Sequence, residues 1–182
     1  MKNYKAYLPF AVVLVAAAMA GCSTMSTRAA GVADSTRSAL DRAGFKDVTV
    51  AQDRAKGVVT LGGQVAVEGD KAQAEAIARS LAGNEVVSNE IAVVPPGFEG
   101  DAKMVNSDLD KGIESNLHAA LVVDSLEKSV QYTVKNHVVT LTGHVNSEAK
   151  RARAEGVASA VPNVHQVVNE LQVTATKATS TR

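Results

Sequence analysis

Cysteine occurs once in the 182 residues, at Cys22, and tryptophan not at all. A single thiol cannot close an intrachain disulfide, so no covalent framework holds this chain together. Three Tyr and three Phe leave few rings on which bases or sugars could stack. Neither charge is in excess, with 19 Lys and Arg against 19 Asp and Glu. A nucleic-acid partner would require a basic footprint that is missing. Also missing are G-x-S-x-G, H-E-x-x-H and a P-loop; Gly62-Gly63 has no following Lys-Ser/Thr and reads as a turn. The four histidines, His118, His137, His144 and His165, all fall in the second half of the chain. His137 and His144 bracket one expected strand at an odd spacing, which puts them on opposite faces if the strand is regular. The sequence thus advertises no enzyme, no metal site and no cofactor.

What is present begins at the N-terminus. Lys2 and Lys5 precede an apolar run from Leu8 to Ala20, too short to span a bilayer comfortably and of signal-peptide length. The run ends in Met19-Ala20-Gly21-Cys22, which resembles a bacterial lipobox with Met where Leu is usual. Small residues suit a signal peptidase pocket, and the cysteine directly after the cut supplies a thiol for diacylglycerol transfer. Residues 1–21 are therefore expected to be a lipoprotein signal peptide, with Cys22 the lipidation site. The other reading is an ordinary signal with an incidental cysteine, although an exposed free thiol brings an exported protein little. Ser23 after the cysteine favours the outer membrane, facing the periplasm. Lys2 and Lys5 leave with the leader, so the mature chain has 17 basic and 19 acidic side chains.

The mature chain contains a duplication. Val58-Val59-Thr60-Leu61-Gly62-Gly63-Gln64-Val65 aligns with Val138-Val139-Thr140-Leu141-Thr142-Gly143-His144-Val145 at an offset of 80. The same offset sets Val87-Ser88-Asn89-Glu90-Ile91 on Val167-Val168-Asn169-Glu170-Leu171. Between these blocks it places Ala74, Ile77, Ala78 and Leu81 on Ala154, Val157, Ala158 and Val161. Leu40 and its neighbours in the first copy, and Leu109, Ile113, Leu117, Ala120 and Leu121 in the second, recur at helical spacing. Val48 and Val50, matched by Val130, Tyr132 and Val134, alternate as a half-buried strand does. Each copy reads αββαβ, so the fold class is α+β, with two helices packed on one face of a three-stranded mixed sheet. Third strands are expected over Val86–Val94 and Val164–Thr174, and the second hairpin is expected to turn at Lys135-Asn136. Gly63 and Gly143 are expected as structural turn residues where strand two leads toward helix two, permitting an unusual backbone angle or a close approach. Asn89-Glu90 and Asn169-Glu170 read as outward or edge polar groups.

The expected boundaries are a flexible tether at 22–32, a first domain at 33–94, a linker at 95–106, a second domain at 107–174 and a polar, disordered tail at 175–182. Pro95-Pro96-Gly97 supports the linker, because none of these residues continues a strand. The order αββαβ, the V-V-T-L-x-G-x-V block, the Ala-rich second helix and the closing V-x-N-x-[IL]-x-V strand together resemble the BON domain, named for bacterial osmotically induced and nodulation proteins. Twin domains behind a lipobox resemble envelope-maintenance lipoproteins of Gram-negative bacteria. That resemblance implies a non-catalytic role in envelope integrity or osmotic-stress protection, with binding to anionic membrane phospholipid and envelope proteins as a further class of partner. In lipid-binding members, helix one of the second domain offers basic and aromatic residues. Here the corresponding Ser107-Asp108-Leu109-Asp110-Lys111-Gly112 is acidic and lacks aromatics, and the acids suit a helix N-terminus.

Candidate contact residues lie in the second copy. Val122, Val123 and Leu126 lie in the connection to its first strand, where a compact domain has least reason to bury them. Lys150, Arg151 and Arg153 form the one basic cluster, read either as a solvated helix face or as a contact for lipid headgroups. An apolar surface rimmed by basic groups is what a peripheral membrane contact needs. The alternative is a periplasmic stress adaptor that binds protein partners only.

Overall fold

The structure, a computed structural model, describes residues 31–174. The expected leader, Cys22, nearly all of the tether and the tail lie outside the described residues. The first module runs α1 (Val32–Arg42), β1 (Val48–Asp53), β2 (Val58–Val65), α2 (Glu68–Ala82), β3 (Val86–Asn89) and β4 (Ala92–Val93). The second repeats that order with α3 (Glu99–Val123), β5 (Val130–Lys135), β6 (Val138–Val145), α4 (Glu148–Ser159), β7 (Gln166–Asn169) and β8 (Gln172–Val173). In each, the first two strands are antiparallel and the later strands join strand two in parallel, giving an α+β module with a mixed sheet.

Strand alternation places Val59 and Leu61, or Val139 and Leu141, beneath the helices. Ala74 and Ala78 on α2, and Ala154 and Ala158 on α4, are fully buried. They sit one helical turn apart, so a small-residue strip allows each helix to lie close to its sheet. Leu40 fills the first core from α1; Ile113, Leu117 and Leu121 fill the second from α3.

Five details differ from the sequence reading. The third strand is broken: β3 stops at Asn89, Ile91 plunges into the core, and β4 resumes the pairing with β2. Asn89 is not an edge group; it is 3% exposed and supplies the break with partners. Its Nδ2 donates to the Lys71 carbonyl (3.2 Å) and to Glu75 Oε2 (3.0 Å), while Oδ1 accepts the Ile91 N–H. Asn169 makes the same three bonds to Arg151, Glu155 and Leu171.

Gly63 and Gly143 lie within β2 and β6, opposite Val48 and Val130, rather than at the exit toward the helix. Their φ values are +89° and +119°, and a Cβ there would run into the carbonyl oxygens of Asp47 and Ser129. The second hairpin turns at Asn136-His137, one residue later than expected, with φ of +47° and +67°. Positive φ at both central residues is the type I′ geometry that matches strand twist. Finally, α3 starts at Glu99, well inside the segment 95–106 expected as linker. Asp108 and Asp110 are consequently mid-helix residues and cannot act as N-terminal caps. Asp110 instead clamps the hairpin, its two carboxylate oxygens accepting the N–H groups of Asn136 (2.8 Å) and His137 (2.9 Å).

Candidate functional site

The faces of the two sheets turned away from the helices meet. Val58, Val138 and Val168 form a small apolar cluster between the modules, and Ser88 is buried on the same face of β3. Polar bonds surround it. Lys56 reaches Glu170 at 2.7 Å, and Lys135 reaches Glu90 at 3.1 Å. Glu90 and Glu170 are repeat counterparts, so each module sends its glutamate to a lysine of the other. The Glu170 carboxylate holds the Lys56 ammonium above its ordinary range, first through the hydrogen bond and then through charge. Asn136 Nδ2 donates to the Glu90 carbonyl at 2.7 Å. The repeat thus builds an interface as well as two folds.

Two hollows lie along this junction. A groove of about 600 Å³ lies between α3 and the edge of the first module, with Lys103, Lys111, Glu99, Asp110 and Glu114 on its walls. Ala92, Asn106 and Asn136 also border a smaller cavity of about 80 Å³, which adds Glu68, Lys71, His137 and His165. The rings of His137 and His165 meet edge-on with centroids 4.7 Å apart. His137 Nε2 is shut off from solvent without a hydrogen-bond partner. Burial, then the neighbouring His165, holds the His137 imidazole below its usual range. His137 sits in the hairpin turn beside His165, while His144 lies within β6. Among the described residues no group of three His, Cys, Asp or Glu side chains is placed to hold a metal ion.

The residues singled out in the sequence divide. Val122 and Val123 are exposed at the C-terminal end of α3, Val123 to 84%. Leu126 is a correction: at 2% exposure it belongs to the second core, because the chain folds back under α3 before β5. Lys150 is exposed on α4. Arg151 turns toward the sheet, donating to the Asn169 carbonyl at 3.3 Å with its Nε buried. Arg153 is committed to Asp124, the residue that follows α3, through two hydrogen bonds of 2.9 and 2.6 Å. The basic cluster is therefore three side chains with three different directions. Between α3 and α4 a shallow groove of about 450 Å³ runs over Ala120, Ala152, Gly156 and Ala160.

Sequence reading missed Phe98, Met104 and Val105 at the start of α3, and counted Leu109 in one stripe with the buried Ile113, Leu117 and Leu121. Phe98, Val105 and Leu109 are exposed, as is Met104. Phe98, Val105, Leu109 and Val123 recur at spacings that keep them on one flank of the helix. The signal was present but hidden, because the helix was expected to begin at Ser107.

A tandem pair of αββαβ modules joined by a long helix is the class the fold defines. The chain belongs to the BON-domain family, whose sequence profile matches residues 29–95 and 109–175. It is 33% identical over 128 residues to osmotically-inducible protein Y of Escherichia coli (strain K12), a stretch covering 69% of this chain and 61% of that one. The chain thus spans about three fifths of that relative's length. Among solved structures it is similar to CdsD, a structural protein of the type III secretion system of Chlamydia trachomatis. That match has a TM-score of 0.36 and 14% identity, covering 78% of this chain and 91% of that one. A separate structure of the CdsD C-terminal domain matches at TM-score 0.34 and 14% identity, over 76% and 95% of the two chains.

Proposed function

We propose that this chain is a non-catalytic envelope lipoprotein, held at the periplasmic face of the outer membrane by an acylated Cys22, that serves envelope integrity or osmotic-stress protection by binding phospholipid at the membrane surface. The likeness to osmotically-inducible protein Y supports the stress role. Among the described residues no helix is long and apolar enough to cross a membrane, so a membrane contact by this part would be peripheral.

The observation that carries the reading is the exposed apolar flank of α3, with Phe98, Val105, Leu109 and Val123 uncovered along one helix. Such a stripe inserts shallowly into the headgroup boundary. Lys150 is the exposed cation of α4 available to headgroups, Arg153 being paired with Asp124, and Leu126 takes no part. The first module then acts as a structural partner docked on the second.

The test is co-sedimentation of the unacylated Ser23–Arg182 chain with vesicles, with and without anionic lipid. Binding is expected, and Val105→Ser combined with Val123→Ser should weaken it several-fold. A chain that stays in the supernatant with every vesicle would overturn the lipid reading in favour of an adaptor for protein partners.

A further inference from the structure

A strand at the end of a sheet presents a row of unpaired backbone donors and acceptors, and proteins cover such edges. The edges of β3 and β7 face each other across the module junction, where the Gln166 side chain bonds to the Asn89 N–H and the Val87 carbonyl. Over the edge of β1, the Arg37 guanidinium donates to the Val50 carbonyl at 2.8 Å. The edge of β5 is different, because this strand pairs with β6 alone. The turns ending α1 and α3 make matching bonds, Phe45 N–H to the Leu40 carbonyl and Leu126 N–H to the Leu121 carbonyl. That match sets His118 at the place of Arg37. His118 is shorter and exposed, and no guanidinium covers β5.

The hairpin closes on the Lys135–Val138 pair, so Lys135, Thr133 and Gln131 turn their backbone groups to β6, and Val134 and Tyr132 turn theirs outward. Val130 fits this phase, its outward N–H being bonded to the Leu126 carbonyl at 3.0 Å. Among the described residues the N–H and C=O of Tyr132 and Val134 have no partner. Tyr132 Oη donates to the Glu114 carbonyl at 3.4 Å, which ties α3 above the strand. From Val134 and Glu114 the groove of about 600 Å³ runs on to Ala92 and Val94 of the first module. That volume lies within the range of ligand clefts. Lys111 is paired with Asp108, and Asp110 holds the hairpin amides. Glu114 is thus the acid left for a cation at this end of the groove. Burial, then the Glu114 charge, holds the Tyr132 hydroxyl above its usual range. Lys103 lies about three helical turns away along α3.

We propose that the outer edge of β5 takes up an extended segment of another polypeptide as an added strand, with apolar side chains alternating with a Lys or Arg that pairs with Glu114. Main-chain bonds to Tyr132 and Val134 supply the attachment, and the alternate side chains supply the preference. Val134, Ala92 and Val94 suit small β-branched residues on the side facing α3. A second copy of this chain fits less well. Two β5 strands paired edge to edge would set both α3 helices on one face of the joined sheet, and α3 packs on β5 itself. Strands lie about 4.8 Å apart, whereas packed helices need about 8–10 Å. The inference does not rest on lipid binding. Glu114 is nine residues from both Val105 and Val123, which sets it on the opposite side of the helix.

The test adds a blocked synthetic peptide, Val-Lys-Val-Thr-Val-Thr, to the Ser23–Arg182 chain and follows the protein amides by NMR and hydrogen exchange. Saturable shifts of the Tyr132 and Val134 amides are expected, with exchange slowed at least about tenfold at saturation. The same peptide N-methylated at its valines lacks the donors and should not bind. Val134→Pro removes an outward N–H and spares the bonds to β6, a substitution that sheet edges tolerate. It should weaken binding at least about tenfold. Glu114→Lys should come to prefer the peptide with Glu in place of Lys. Tyr132 and Val134 amides indifferent to millimolar peptide would overturn the proposal, as would wild-type affinity in Val134→Pro or for the N-methylated peptide. Protection of these amides that grows with protein concentration in the absence of peptide would overturn it in favour of a second copy. Should Val134→Pro fold poorly, the wild-type titrations with the two peptides decide.

Discussion

The side-chain amide of Gln166 occupies the free edge of β3 as another strand would: its Oε1 accepts the Asn89 N–H at 2.9 Å and its Nε2 donates to the Val87 carbonyl at 2.5 Å. Unpaired strand edges invite pairing with other chains. Here one glutamine from the second module closes the edge of the first. The repeat counterpart of Gln166 is Val86, whose side chain has no polar group to make such bonds.

Gln166→Ala removes both bonds and leaves two backbone groups of a part-buried edge unsatisfied. The Asn89 amide is expected to exchange its hydrogen at least about tenfold faster, a loss of the order of one hydrogen bond. Amide hydrogen exchange read at Asn89 checks this, with Leu141 as an internal reference in the other core. An unchanged rate at Asn89 would show the edge to be protected by something else.

Gly143→Ala and Gly112→Ala should act in opposite directions. At Gly143 the φ of +119° and the nearby Ser129 carbonyl leave no place for a Cβ, and a loss of at least about 2 kcal/mol is expected. Gly112 lies within α3 with nothing near its missing Cβ. Alanine there should add about 0.5–1 kcal/mol through helix propensity. Denaturant midpoints of the two variants decide the matter, and a shift of the same sign in both would contradict the structure.

Leu126→Ala and Val123→Ser separate core from surface. Leu126 is packed in the second core, so its truncation should cost about 2–4 kcal/mol. Val123 is largely in solvent, and its replacement should alter stability by less than about 0.5 kcal/mol. Thermal unfolding of both, set beside vesicle binding, should show stability lost in the first variant and membrane affinity in the second.

Acid should weaken the module junction through His137. Its folded pKa is lowered, chiefly by burial and then by His165, so the unfolded chain binds the proton more readily. The stability contribution is complete above about pH 6.5, the unfolded value, and falls as pH drops through the lower folded value. His137→Asn keeps a residue that tolerates positive φ and removes the titration. Between neutral pH and pH 5 the thermal midpoint of the wild type should fall more steeply than that of the variant. Parallel curves would assign the acid sensitivity to other groups.

Much of the fold was legible because it is written twice. A fixed offset across the V-V-T-L blocks and the Asn-Glu blocks matched the second and third strands of the two copies, and alternation at Val48 and Val50 and at Val130, Tyr132 and Val134 marked the first. Gly63 and Gly143 stood out for the same reason. The start of α3 was not legible, since Glu99 to Asn106 carries no core residue and its exposed apolar side chains do not mark a buried face. Leu126 was misread because sequence position cannot show that a connection folds back beneath a helix.

The sequence by itself determined two αββαβ modules, the pattern of their cores and the glycines their strands require, because periodicity and local backbone geometry are short-range properties. Only the tertiary structure decided how the copies meet. The reciprocal Lys56–Glu170 and Lys135–Glu90 pairs, the edge cover by Gln166 and the meeting of Lys71 with His137 and His165 at one cavity join residues of different modules, more than 40 positions apart. No local rule relates such residues. Their proximity follows from two sheet faces burying Val58, Val138 and Val168 against each other, and that packing exists only in three dimensions.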